Sequence, residues 1–243
     1  MARTRTFNEY ADGTLFPFKY ALSIKSMVGA GILIGAYLPK KYAVTAATLM
    51  LSGGLMISIA TRLGLYEDPM TKQVVKGRKM GKIEGDYVVF HIGARPNKAI
   101  DGFFKWTGDA MDAMLAELEA NPELGCLGGE RFFGTIGPMT IQYWKSMEHL
   151  TAYARSMNNQ HASPWAKLMK KGRESLDYGF WHEAFIVKAG QHESIYINCP
   201  PLMLGNCRGV DLVQVEGKNN SAAGRAGRSE MTEYPSNIGK PDY

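Results

Sequence analysis

Two short stretches hold most of the side chains able to do chemistry. Tyr143-Trp144-Lys145-Ser146 leads to His149, His161 and Trp165, and Trp181-His182-Glu183 follows. Indoles and phenols can wall an apolar pocket, while an imidazole exchanges protons near neutral pH, so the combination suits acid–base work on an apolar molecule. If residues 179–188 form a strand, Phe180, His182, Ala184 and Ile186 share one face. Trp181, Glu183, Phe185 and Val187 share the other. His182 then sits mid-strand among apolar neighbours, and Glu183 points away from it. Burying an ionisable group mid-strand is unfavourable unless it is partnered. His182 is therefore either a partnered core residue or a site residue facing a pocket. The nearby aromatics and second histidine favour a pocket. His91 reads as packed, His149 as exposed on a helix, and His192 as solvated in a turn. Glu130-Arg131 places two charges on opposite faces, and the sequence does not say which of them faces inward.

Familiar reaction motifs are missing. There is no Ser-His-Asp signature, P-loop, GxGxxG after a strand, or HExxH, and "HE" at His182-Glu183 has no second histidine four residues on. Cys126, Cys199 and Cys207 form no CxxC, so neither a zinc site nor a disulfide framework is indicated, and no metal site is expected. The net charge of +5 comes without a basic–aromatic motif, which argues against nucleic-acid binding.

The elements that would position these residues follow in order. Residues 86–93 form a strand rich in β-branched and aromatic side chains, broken by Arg95-Pro96-Asn97. A helix follows over 109–119, with Met111, Leu115 and Leu118 on one face, stopped by Asn121-Pro122. Strands are expected near 126–133 and 139–145. Ser146 is an N-cap with Glu148 in the first helical turn, and Ser163-Pro164 opens another helix through about Arg173. A strand at 179–188 and an extended piece at 193–198 close the domain. The order is the split βαβ, ferredoxin-like pattern, an α+β fold whose antiparallel sheet has helices on one face. A second copy of the chain is expected to cover the other face.

The flanks differ in character. Residues 42–61 (YAVTAATLMLSGGLMISIAT) run without a charge for 20 residues, about the length that crosses a ~30 Å hydrocarbon core as a helix. The shorter uncharged run 26–39 precedes it. The sequence thus divides into an anchor region (1–65), a basic linker (66–85), a folded domain (86–207) and a polar tail (217–243) expected to be disordered.

At this point the chain resembles a family. VVFHIGARPNK (88–98), TIQYWKSMEHLTAYARSMNNQHASPW (140–165), FWHEAFIV (180–187) and ESIYINCPP (193–201) resemble the fungal and bacterial monooxygenase af470-like domain. The resemblance implies a ferredoxin-like dimeric α/β-barrel related to antibiotic-biosynthesis monooxygenases. It also implies a setting in secondary-metabolite biosynthesis and, in fungal members, a hydrophobic N-terminal stretch. More remotely, the pattern is similar to haem-containing aldoxime dehydratases. That resemblance implies that His161 is the axial haem ligand and His182 the distal acid–base residue.

Three functions are therefore expected, in order. The first is a membrane-anchored monooxygenase-like enzyme acting with O₂ on a lipophilic polyketide or terpenoid. In it His182 is the base, Tyr143 contributes to catalysis, and Trp144, Trp165, Trp181 and Phe180 line the substrate site. Such an enzyme would sit as a homodimer on the endoplasmic reticulum or another endomembrane, its catalytic domain facing the cytosol. The second is a haem enzyme using His161 and His182. The third is a non-catalytic lipid- or haem-binding or accessory subunit.

Overall fold

The computed structural model describes residues 56, 59–67, 70–97, 103–134, 137–156, 160, 162–174 and 176–227. The chain divides into two compact units, one of residues 9–74 and one formed by 1–8 with 75–243. In the first, Leu63 N–H donates to Ile59 carbonyl at 2.9 Å, closing a helical end. A 3₁₀ turn spans Thr71–Gln73. The expected span 42–61 lies outside the described residues apart from Met56 and 59–61. Among the described residues no helix is long and apolar enough to cross a membrane.

The second unit is α+β. Its main sheet holds β2 (Tyr87–Pro96), β3 (Cys126–Gly134), β4 (Gly137–Trp144) and β5 (Tyr178–Val187), ordered β3-β4-β2-β5 with every neighbouring pair antiparallel. Helices α1 (Phe103–Ala120), α2 (Met147–Arg155) and α3 (Ala162–Glu174) connect these strands in the expected order. A second sheet is built from β1 (Val75–Lys82), β6 (Tyr196–Cys199) and β7 (Asp211–Gln214), with β1 central and antiparallel to both neighbours.

This second sheet corrects two expectations. Residues 75–82, read as part of a linker, are a strand, because their backbone pairs on both edges. Their charge-rich sequence (VKGRKMGK) lacks the alternation that marks strands, so periodicity hid it. The domain also continues beyond residue 207, through β7 and two helical turns, Gly217–Asn220 and Ala222–Arg225. That part of the tail was expected to be disordered. Arg225 ties it down by donating to Glu193 and to the Asn219 carbonyl. The rest of the tail, 228–243, lies outside the described residues.

Registry sorts the sheet's two faces. Val88 lies opposite Trp144 and Ile186, and Ile92 opposite Thr140 and His182. Val88, Trp144 and Cys126 pack with Leu115 and Leu118 of α1 and Leu150 and Tyr153 of α2. Burying each such side chain is worth about 1.5–3 kcal/mol. Arg208 holds the C-terminal end of α1, donating to the carbonyls of Leu118 at 3.3 Å and Glu119 at 2.6 Å, where a cation complements the helix dipole. Ser146 caps α2 as expected, accepting the His149 backbone N–H at 3.4 Å.

The opposite face was expected to need a second copy of the chain. Part of it is covered from within, where Tyr87, Leu127 and Tyr143 pack under Leu204, Cys207 and Val210. Glu130 pins this cover, its carboxylate accepting the Met203 N–H at 2.5 Å. Phe132 and Phe185 on the same face remain exposed.

Candidate functional site

Toward the far end of the helix-covered face the packing opens into a cleft of about 130 Å³. For scale, a cavity of roughly 150 Å³ holds one benzene ring. Its floor is Ile92 and Ala94 of β2, its walls are Met111 and Met114 of α1 and Leu168 of α3, and Phe180 of β5 closes one side. The sequence opens the cleft at the start of α1. Thr107, Gly108 and Ala110, all small, stand where a helix would otherwise present leucines. Two turns later Leu115 and Leu118 fill the same gap.

Polar groups enter the lining at few points. Arg131 of β3 faces the helices, since it lies opposite Thr140, and pairs with Asp112 of α1. The sequence left the inward charge of Glu130-Arg131 open. The structure sends Arg131 to the cleft and Glu130 to the opposite face. Thr140 is 2% exposed and begins a buried run along β4. Gln142 Nε2 donates to Thr140 Oγ1 at 3.4 Å, and Trp144 Nε1 donates to Gln142 Oε1 at 2.9 Å. Such a ladder leaves no buried donor orphaned and fixes the rotamers behind the cleft wall.

The expected site residues are dispersed. Phe180, expected to bind substrate, lines the cleft. His182 lies next to it, opposite cleft-lining Ile92, with its ring 5.6 Å from Phe90 and 6.5 Å from Phe180. It is exposed rather than sunk among apolar neighbours, because β5 is an edge strand and its middle escapes helix cover. Trp181 stands on the opposite face over Gly93, where an added Cβ would come within 2.6 Å of the indole.

Trp144, expected to touch substrate, is 1% exposed in the core below the cleft. Tyr143 points to the other face, beneath the 203–210 segment, so it too is a core residue rather than a wall of this cleft. Burial, with Cys207, Tyr196, Tyr87 and Glu130 nearby, holds its phenol well above the ordinary tyrosine range. Strand alternation forces adjacent residues apart, so Tyr143 and Trp144 could not both line one pocket. Trp165 belongs to α3, and nothing further is described of its side chain. His161 lies outside the described residues.

His91, His149 and His192 are not among the residues that line the cleft. The His91 ring lies 5.4 Å from that of Phe185 in a tilted contact, and Nδ1 approaches Glu183 at 3.9 Å. His149 Nδ1 lies 2.9 Å from Ser146 Oγ. His192, expected in solvent, is half-buried, with Nε2 3.1 Å from the Gly81 carbonyl oxygen. Among the described residues no group of three or more His, Cys, Asp or Glu side chains could hold a metal. Among the described residues that line the cleft there is no histidine or cysteine to hold a haem iron.

Comparison with known proteins agrees with the resemblance read from the sequence. Residues 87–204 match the family described as Monooxygenase af470-like. The chain is 27% identical to "Monooxygenase af470" of Aspergillus fumigatus, over 78% of this chain and 76% of that protein. A solved structure, "Crystal structure of aldoxime dehydratase", is a structural neighbour at a TM-score of 0.37 and 12% identity, covering 66% of this chain and 48% of that one. The chain thus spans about half of that neighbour's length.

Proposed function

We propose, from the match of residues 87–204 to the monooxygenase af470-like family, that this chain is a monooxygenase-type oxidoreductase acting on a lipophilic small molecule held in the cleft. The observation that carries the reading is the cleft itself. It is walled by Met111, Met114, Leu168 and Phe180 and sized for one ring, and the His182 ring lies 6.5 Å from that of Phe180, outside the lining itself. An apolar pocket with few placed polar groups is the usual form of a small-molecule site.

The reaction we favour uses the substrate's own electrons. His182 removes a proton from an acidic carbon beside a carbonyl, the carbanion combines with O₂, and loss of water leaves a new carbonyl: R₂CH₂ + O₂ → R₂C=O + H₂O. A positioned base contributes about 10²–10⁴-fold to such a step. The substrate would be a polyketide or terpenoid of secondary metabolism, with one ring in the cleft and the remainder outside.

Anchoring by 42–61 would place the domain at an endomembrane, on its cytosolic face, where such substrates partition. The exposed Phe185 and Ile186 on edge strand β5 suit pairing with a second copy of the chain.

The test is oxygen uptake by the full-length protein with a panel of lipophilic, enolisable ketones. We expect one or more panel members to be consumed with equimolar O₂, and His182→Ala to fold normally yet lose at least ~10²-fold in rate. An unchanged rate in His182→Ala would remove the base from this scheme. A Soret band after haem supplementation, lost in His161→Ala, would replace the scheme with haem chemistry.

A further inference from the structure

We infer that the cleft is a site for an amphipathic anion, with Arg131 as the residue that selects it and Asp112 as an internal stand-in for the ligand's acidic group. The inference rests on the cleft being the substrate site and names the class of molecule it takes: one ring-sized apolar group carrying a carboxylate or an acidic enol.

The lining is apolar almost throughout, so the single cation among its described residues, set with methionines, leucine and phenylalanine, is the feature that discriminates between ligands. Arg131 is placed there by registry with Thr140, another lining residue, and not by a loose surface rotamer. Among the described residues its one ion-pair partner is Asp112, joined through Nη1 to Oδ1. A guanidinium presents five donors in a planar fork and can hold a second carboxylate or enolate oxygen pair.

Asp112 is easily exchanged. Its side chain is 58% exposed and that of Arg131 34%, and an exposed ion pair is weak because water competes for both charges. A ligand whose ring fills the cleft while its anionic group meets Arg131 gains the apolar burial that Asp112 lacks.

The experiment compares 3-phenylpropionate with 3-phenylpropanol, which share a ring and differ in charge, by calorimetric titration of the full-length protein at pH 7.5 (a buffer setting of roughly this value keeps the carboxylate ionised). We expect the acid to bind about 10-fold more tightly than the alcohol, as a charge-assisted contact allows. Arg131→Gln should bring that ratio to about one and leave alcohol binding in place. Asp112→Asn should move it the other way, raising acid affinity a few-fold, roughly what removing a weak surface competitor gives. Thermal melts of both variants report whether they fold.

Equal binding of acid and alcohol by the wild type would overturn the anion assignment while leaving a lipophile cleft intact. So would an acid preference that survives in Arg131→Gln, or acid affinity that falls in Asp112→Asn. Binding of neither compound would overturn the cleft as a ligand site altogether. Oxygen uptake is measured separately, so failure of the oxidative chemistry remains distinct from failure of the anion assignment.

Discussion

Helix α1 meets one face of the sheet with two different halves. Its C-terminal half, from Leu115 to Leu118, sinks into Val88, Cys126 and Trp144 and leaves no room for anything else. Its N-terminal half, from Thr107 to Met114, stands over Ile92 and Ala94 with small or flexible side chains and leaves the cleft. The backbone geometry is continuous, so side-chain volume separates a core from a cleft. On the function proposed, stability is concentrated in one half and recognition in the other, and variants in the two halves should therefore have different consequences.

The largest effect expected is Leu118→Ala. This side chain is 1% exposed, and truncating a fully buried leucine costs about 2–5 kcal/mol. Urea denaturation should show it as a lowered midpoint. A loss near zero would mean that the C-terminal half is not the core described here.

A second prediction concerns alkali. Burial pushes the Tyr87 phenol from 10.0 up to about 12 and the Cys126 thiol from 9.0 up to about 12. Burial and the nearby Glu117 carboxylate also raise Tyr153. These groups lie in the closed part of the molecule. Each stays protonated when folded over a pH range where the unfolded chain has already lost the proton. Stability is then complete below about pH 9 and falls as pH climbs from 9 to 12. Urea midpoints at pH 8, 9.5 and 11 measure the slope, and Cys126→Val should make its lower part shallower.

Arg208→Met sharpens the comparison at the helix end. It removes two charge-assisted bonds to the last carbonyls of α1, and about 1–2 kcal/mol should be lost, since the group is half-buried rather than enclosed. Met114→Ala, on the open half, should cost less than about 1 kcal/mol because the side chain already borders space, yet it should weaken binding of 3-phenylpropanol. Equal destabilisation by Met114→Ala and Leu118→Ala would erase the distinction between the halves.

Much of this architecture was legible in the sequence. The apolar period of α1, the Ser146 cap and the alternation in FWHEAFIV fixed the main elements, because local chemistry decides them. The cleft was not legible, because it is made by absence, in the small residues at 107–110, and by Arg131, whose direction depends on strand registry. Tyr143 and Trp144 drew notice as aromatics, yet they serve the two cores, since burial depends on what packs above a strand. β1 escaped reading because its partners, β6 and β7, lie more than a hundred residues later. His182 was placed on the correct face, but its exposure follows from β5 being an edge strand, which sequence periodicity does not encode.

The central claim is that the open half of α1 holds the molecule that reacts. The most direct measurement is oxygen uptake by wild type and Ala110→Leu with the enolisable ketone panel, alongside thermal melts. Ala110 lines the cleft, and a leucine there fills it while remaining a good helix former. The account predicts a melting temperature within a few degrees of wild type, as expected when a residue beside open space gains about three carbons, together with loss of substrate-dependent uptake. Undiminished uptake in a stably folded Ala110→Leu would place the chemistry elsewhere on the molecule.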